Sequence, residues 1–186
     1  MLNTAVPTLL QTIEPLHQAG FALHWLHPKQ KRPIGDDWAD RPRATLPQML
    51  VDQHRGNNLG VRLGEYSRVA GGFLHVIDLD IREPSGAEAA LARFDELLPS
   101  IDRSSAPIVA SGSGGESRHV YFITDRPFRS KKLATSGEKY IDENGRAHWT
   151  WEIELFGTRK QVAMPPSIHP DTGKPYVWLR PFDFDM

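Results

Sequence analysis

One stretch constrains this chain more than any other: Gly71-Gly72-Phe73-Leu74-His75-Val76-Ile77-Asp78-Leu79-Asp80. Phe73 to Ile77 is largely apolar and reads as a buried strand. It runs directly into two carboxylates with one residue between them. Strand side chains alternate faces, so Asp78 and Asp80 point the same way. Two adjacent carboxylates at the end of an apolar strand repel each other unless something neutralises them. A hard divalent cation, Mg²⁺ or Mn²⁺, is the usual neutraliser. A polar strand end entering a loop gives the same three residues with no function, so the rest of the chain has to decide.

Composition narrows the choices. The chain has no cysteine, which excludes disulfides and thiolate zinc sites and fits a reducing, cytoplasmic setting. A net charge of −1 gives no global basic field, so any nucleic-acid contact must be a local patch. Hydrophobic content of 39% and charged content of 24% fit a folded globular chain. No apolar run is long enough for a membrane span, and no signal peptide or repeat is visible. The expectation is one domain over residues 1–186, with two lobes sharing a cleft, either by itself or as a fragment of a longer replication protein.

In chain order, Leu9, Leu10, Ile13 and Leu16 share a helical face between Pro7 and Gly20, and Phe21 to Leu26 reads as a strand. The loop His27 to Trp38 is rich in proline and base; Lys29, Lys31 and Arg32 are either solvated or phosphate contacts. Thr45 can cap a helix with Leu46, Met49 and Leu50 inside. Leu59 to Gly64 reads as a strand carrying Arg62, and a lone strand arginine is more often an ion-pair partner than a ligand contact. Ser85-Gly86-Ala87-Glu88 has capping-box spacing, with Ala89, Leu91, Ala92, Phe94, Leu97 and Leu98 as the helix that follows. After the short strand Ile108 to Ala110 comes the Gly/Ser turn Ser111 to Ser117, whose backbone N–H groups can approach a phosphate. Arg118 to Ile123 is a strand with His119, Tyr121 and Ile123 on one face. Arg126 to Lys139, including Lys131 and Lys132, reads as a basic solvated segment. Asp142 to Gly145 is a hairpin turn. Trp149 to Phe156 reads as one strand with Glu152 and Glu154 on one face. Turn Gly157 to Lys160, strand Gln161 to Met164, Pro165-Pro166-Ser167-Ile168-His169 and strand Tyr176 to Leu179 complete the chain.

Four pieces thus occur in order: Asp78-x-Asp80, Ser117-x-His119, a strand glutamate at 154, and Pro165-Pro166-Ser167 with His169. This order resembles the primase-polymerases of the archaeo-eukaryotic primase superfamily, of the type found on mobile genetic elements. The flanks are similar too: Lys29 to Trp38, Asn58 to Gly64, and Pro165 to Trp178. The resemblance implies an α+β fold, an RRM-like antiparallel sheet with flanking helices beside a smaller α/β lobe. It implies Asp78, Asp80 and Glu154 at the catalytic divalent metals, Mg²⁺ or Mn²⁺, with Glu152 competing for the third place. It also implies His119 and Ser117 at the incoming triphosphate. Arg62, Arg159, Lys160, Ser167 and His169 are expected around the nucleotide, and Lys29, Lys31, Arg32, Lys131 and Lys132 on template.

The implied activity is template-dependent DNA priming or polymerisation from nucleoside triphosphates on a DNA template and primer. Its partners would include a helicase or initiation module, in the full-length protein or in trans, and no membrane. Three carboxylates and a histidine suit a metal-dependent nuclease equally well. A non-catalytic replication-initiator domain that kept the fold is the other alternative, and the intact Asp78, Asp80 and His119 speak against it.

Overall fold

The computed structural model describes residues 9–142 and 144–184. Pro7, the expected stop before the first helix, and Glu143 of the hairpin turn lie outside them. The elements are α1 (Leu9–Gln18), β1 (Ala22–Leu26), α2 (Leu46–Val51), β2 (Asn58–Arg62), β3 (Gly64–Val69) and β4 (Gly72–Ile81). A 3-10 turn at Pro84–Gly86 leads into α3 (Ala87–Leu97). Then come β5 (Ile108–Ala110), β6 (Arg118–Thr124), β7 (Lys131–Thr135), β8 (Lys139–Ile141), β9 (Ala147–Trp149), β10 (Trp151–Phe156), β11 (Gln161–Met164) and β12 (Val177–Arg180). The fold is α+β, and these strands pair antiparallel throughout.

Seven strands form the main sheet, ordered β12-β5-β6-β4-β10-β7, with β3 also pairing with β4. A second sheet runs β1-β2-β11, and β8-β9 is a separate hairpin. The central strand β4 explains the layering. Its residues 77, 79 and 81 face one way, and Ile77, Leu79 and Ile81 pack with Val120, Ile153 and the α3 residues Ala90 and Phe94. Its residues 74 and 76 face the other way, into the core shared with β1, β2, β11, α1 and α2. Asp78 and Asp80 continue that second face past the point where the apolar packing stops. Fully burying a side chain such as Phe94 contributes roughly 1.5–3 kcal/mol, so both faces of β4 are held firmly.

Several local expectations need correction. Thr45 does cap α2 in a complete capping box, but Leu50 is 39% exposed and only Met49 of the helix is buried. Ser85 caps nothing. Pro84 starts a turn closed by Gly86 N–H donating to Glu83, and α3 then begins without a side-chain cap. The inner face of α3 is Ala90 and Phe94, supported by Ala87, Leu91 and Leu98, while Ala89 and Ala92 face solvent. The basic segment hides a strand: β7 pairs with β10 as an edge. The expected single strand 149–156 breaks at Thr150, whose carbonyl accepts from Arg82 and Glu83 N–H while its own N–H turns to Glu138 and Ser136. That step carries the chain from the β8-β9 hairpin into the main sheet.

Candidate active site

Three neighbouring strands change character at the same level. On β4, Val76 gives way to Asp78 and Asp80. On β10, Phe156 lies opposite Val76, Glu154 opposite Asp78 and Glu152 opposite Asp80. On β6, Tyr121 lies opposite Val76 and His119 opposite Asp78. Directly opposed antiparallel residues share a face, so Asp78, Asp80, Glu152, Glu154 and His119 all project from one side of the sheet. The pleat alone builds this cluster, because each strand alternates and the registers match.

Asp78 sits at its centre. Its side chain keeps a quarter of its surface open, yet burial, then the charge of Asp80, push its carboxyl up to about 7. Glu154 adds to that repulsion, while Lys31 and Arg82 oppose it. His119 Nε2 stands 3.4 Å from Asp78 Oδ1. Burial, then the charge of Lys31, lowers the His119 imidazole to about 3, so it is neutral at pH 7. Its Nδ1 is buried and makes no hydrogen bond of good geometry, although the Ala163 backbone lies close by. Tyr176 packs its ring between His119 and His169, with centroids 5.8 and 5.9 Å away, and its buried hydroxyl is also unpartnered.

The two glutamates differ in what surrounds them. Glu152 is bound on both sides, by Arg82 Nη1 at 3.0 Å and by the Lys132 ammonium. Burial would raise its carboxyl, but the hydrogen bonds from Lys132 and Arg82 hold it below the usual range. Among the described residues, Glu154 has only Lys132 as an ion-pair partner, at 3.9 Å. Arg82 also reaches Asp80 at 2.6 Å. Arg82 was missed in the sequence, although it extends the alternation Asp78, Asp80, Arg82 along one face.

The remaining expected residues divide by what they hold. Ser117 Oγ accepts from Ile81 N–H at 2.9 Å and lies 3.4 Å from Asp80, so it ties β6 to the end of β4. Ser167 Oγ accepts from Leu59 N–H and donates to the Leu59 carbonyl, and so fastens the Pro165-Pro166 turn to β2. Both serines bind backbone, and Ser117 also reaches the Asp80 carboxylate. His169 is buried, and burial, then Lys31, lowers its imidazole. Gly112 must be glycine: its φ is +73°, and a Cβ there would meet the Lys174 carbonyl at 2.9 Å and His169 Cβ at 3.1 Å. It lets the Gly/Ser turn close against the His169 hairpin.

Lys31, expected on template, has its charge felt at Asp78, His119 and His169, which puts it at the cluster. Gln161 holds that loop by donating to the Lys31 carbonyl at 2.8 Å. Lys132 is engaged with the glutamates and Lys131 is exposed beside it on β7. Lys29 and Arg32 are exposed on the loop. Arg159 pairs bidentately with Asp40, and Lys160 lies over the Phe156 ring at 4.6 Å. Arg62 lies elsewhere, buried in the small sheet, with its Nη1 donating to the Trp38 and Arg41 carbonyls.

The residues suit a divalent cation by chemistry, since Asp78, Asp80 and Glu154 are hard oxygen donors and a cation would relieve the repulsion at Asp78. Among the described residues, however, no three acidic or histidine side chains are gathered into a ready-made cage.

The family model for the N-terminal domain of bifunctional DNA primase/polymerases matches residues 14–183. The chain belongs to that family. The match spans both sheets and every residue of the acidic cluster. Primase/polymerase-type activity in general, with DNA and nucleotides as the substrate classes, follows from membership. The comparison with curated proteins returned no match. Among the described residues of this primase/polymerase domain, no helix is long and apolar enough to cross a membrane.

Proposed function

We propose that the domain performs template-dependent nucleotidyl transfer at the face of β4, β6 and β10. The observation that carries this reading is Asp78 flanked in register by His119 on one side and Glu154 on the other. Asp78, Asp80 and Glu154 would hold Mg²⁺ or Mn²⁺, which when bound supplies positive charge against the phosphates and acidifies an attacking hydroxyl. The chain's own contributions surround that centre. Neutral His119 turns its Nε2 toward the acidic face, 3.4 Å from Asp78 Oδ1, where it can meet a phosphate oxygen, and the positive charge of Lys31 acts on the same residues. Arg82 and Lys132 fix Glu152, so that Glu154 stays the less committed carboxylate next to Asp78. Ser117 keeps Asp80 level by binding the backbone just beyond it.

Extension of a primer needs this centre and a grip on a duplex. Initiation must also hold two free nucleotides together, which calls for further positioning. The domain therefore extends primers better than it starts them, and a helicase or initiation module supplies what initiation lacks. The test is primer extension and unprimed synthesis on single-stranded DNA, with ribo- and deoxynucleotides, each with Mg²⁺ and Mn²⁺. Extension that needs nucleotides and disappears in Asp78→Asn is expected. Strand cleavage without nucleotides, lost in the same variant, would replace this reading by a nuclease.

A further inference from the structure

A second cavity lies in the small-sheet region and shares no lining residue with the acidic face. It encloses about 320 Å³, within the range of small-molecule sites. Its walls include Leu23, Ile34 and Met49, with Trp38, His24 and Arg62 as the chemically distinctive groups.

Arg62 is 3% exposed and, among the described residues, forms no ion pair. Its Nη1 meets two carbonyls, but its Nε is buried without a partner. A buried guanidinium with no counter-charge is costly, and an anion with paired oxygens is what its donor fork fits. His24 Nδ1 is likewise buried and unpartnered, while its Nε2 lies beside Gln161 Oε1. Burial, then Arg62, lowers this imidazole to about 4, so it carries one donor and one acceptor at neutral pH. Gly60 preserves the arrangement, since a Cβ there would strike His24 Nε2 at 2.6 Å. The Trp38 indole stacks over the His24 ring, 5.8 Å away and tilted 30°, and presents a broad π surface at the cavity wall. Asp52 and His54, both exposed, line the same cavity and suit hydroxyl partners.

An anionic group for Arg62, a planar ring for Trp38, donor and acceptor edges for His24 and hydroxyls for Asp52 together describe one ligand class. We propose that this cavity is a second nucleotide site, taking a free nucleoside monophosphate with its phosphate on Arg62 and its base on Trp38. The site is independent of the metal-binding reading, because none of its residues belongs to the acidic cluster.

The test is calorimetric titration of the whole domain in EDTA, with the four 5′-ribonucleoside monophosphates one at a time, then adenosine and inorganic phosphate. Millimolar or tighter binding of at least one monophosphate is expected, and at least tenfold weaker binding of phosphate and adenosine. Asp78→Asn should keep the affinity. Arg62→Gln should lower it at least tenfold. Because Arg62→Gln also removes the bonds to Trp38 and Arg41, Ala44→Leu provides a second variant that fills the cavity from its wall, and it should lower affinity as much. No binding by any monophosphate would mean a water-filled cavity and overturn the proposal. So would phosphate binding as tightly as the nucleotides, or loss in Asp78→Asn with retention in Ala44→Leu. A 5′-phosphorylated oligonucleotide that binds here in place of the free monophosphates would assign the cavity to a strand end and overturn the free-nucleotide assignment.

Discussion

The two faces of β4 are made by the same ten residues and behave oppositely. On one face Ile77, Leu79 and Ile81 find Phe94, Ala90 and Ile153, and every group is satisfied by packing. On the other, Asp78 sits among like charges, beside a histidine with an unpartnered nitrogen and a tyrosine with an unpartnered hydroxyl. The first face is finished without a ligand. The second is held in an unfavourable state by its surroundings, which is the usual mark of a site that completes itself by binding.

Substitutions on either face should separate stability from activity. The largest effect is expected at Asp78. Asp78→Asn should reduce primer extension on the order of a hundredfold or more while raising the melting temperature at pH 7 and above. Its carboxyl is raised in the fold from 3.8 to about 7. The folded state therefore holds a proton that the unfolded chain has already lost, and stability falls as pH rises from about 4 to 7. That loss amounts to at most about 4 kcal/mol, and the asparagine removes it. Phe94→Ala, on the opposite face, should do the reverse: a loss of about 3–5 kcal/mol in denaturant unfolding, with extension per folded molecule retained. If Phe94→Ala abolished extension in the folded fraction, the two faces would not be separable.

The glutamates sharpen the same contrast. Glu154→Gln should cost at least roughly tenfold more extension activity than Glu152→Gln, since Glu152 is already neutralised by Arg82 and Lys132. Equal losses would restore Glu152 as the third carboxylate. A smaller effect should appear in metal-free thermal melts against pH. His119 is lowered from 6.5 to about 3, so its contribution to stability falls as pH drops from about 6.5 toward 3. Asp78 has the opposite slope between about 4 and 6.5, and the two partly cancel in the wild type. Asp78→Asn should unmask an acid-side loss, and His119→Gln an alkaline-side loss. The smallest change is expected at Lys29 and Arg32. Neutralising either should flatten the salt dependence of template binding by about one unit per lost phosphate contact. An unchanged slope would remove that residue from the template path.

The strands that carry this contrast were legible because a period of two is a local property. Alternation placed Asp78 with Asp80, and Glu152 with Glu154, before any fold was known. What alternation cannot give is the register between strands. The partners of Glu152 come from β7 and from beyond Asp80, and the charge of Lys31 arrives from a loop almost fifty residues upstream of Asp78. Strand β7 escaped notice because Lys131 and Lys132 are exposed on a sheet edge, where charge is expected of a loop as well. Ser85 misled because a proline just before it starts a tighter turn and displaces the cap. Arg62 reads from sequence more readily as an ion-pair partner than as a ligand contact, and the absence of an acid beside it among the described residues is a three-dimensional fact.

The tight junction between Ile77 and Asp78 has a consequence for how this chain can vary in length. Inserting one residue there would carry Asp78 and Asp80 under α3 and bring Leu79 to the open side, while the strands on either side kept their orientation. Surface loops absorb extra residues at small entropic cost. In β4 the same event exchanges the core face for the acidic face at a stroke, so insertions and deletions should be tolerated around this strand and not within it.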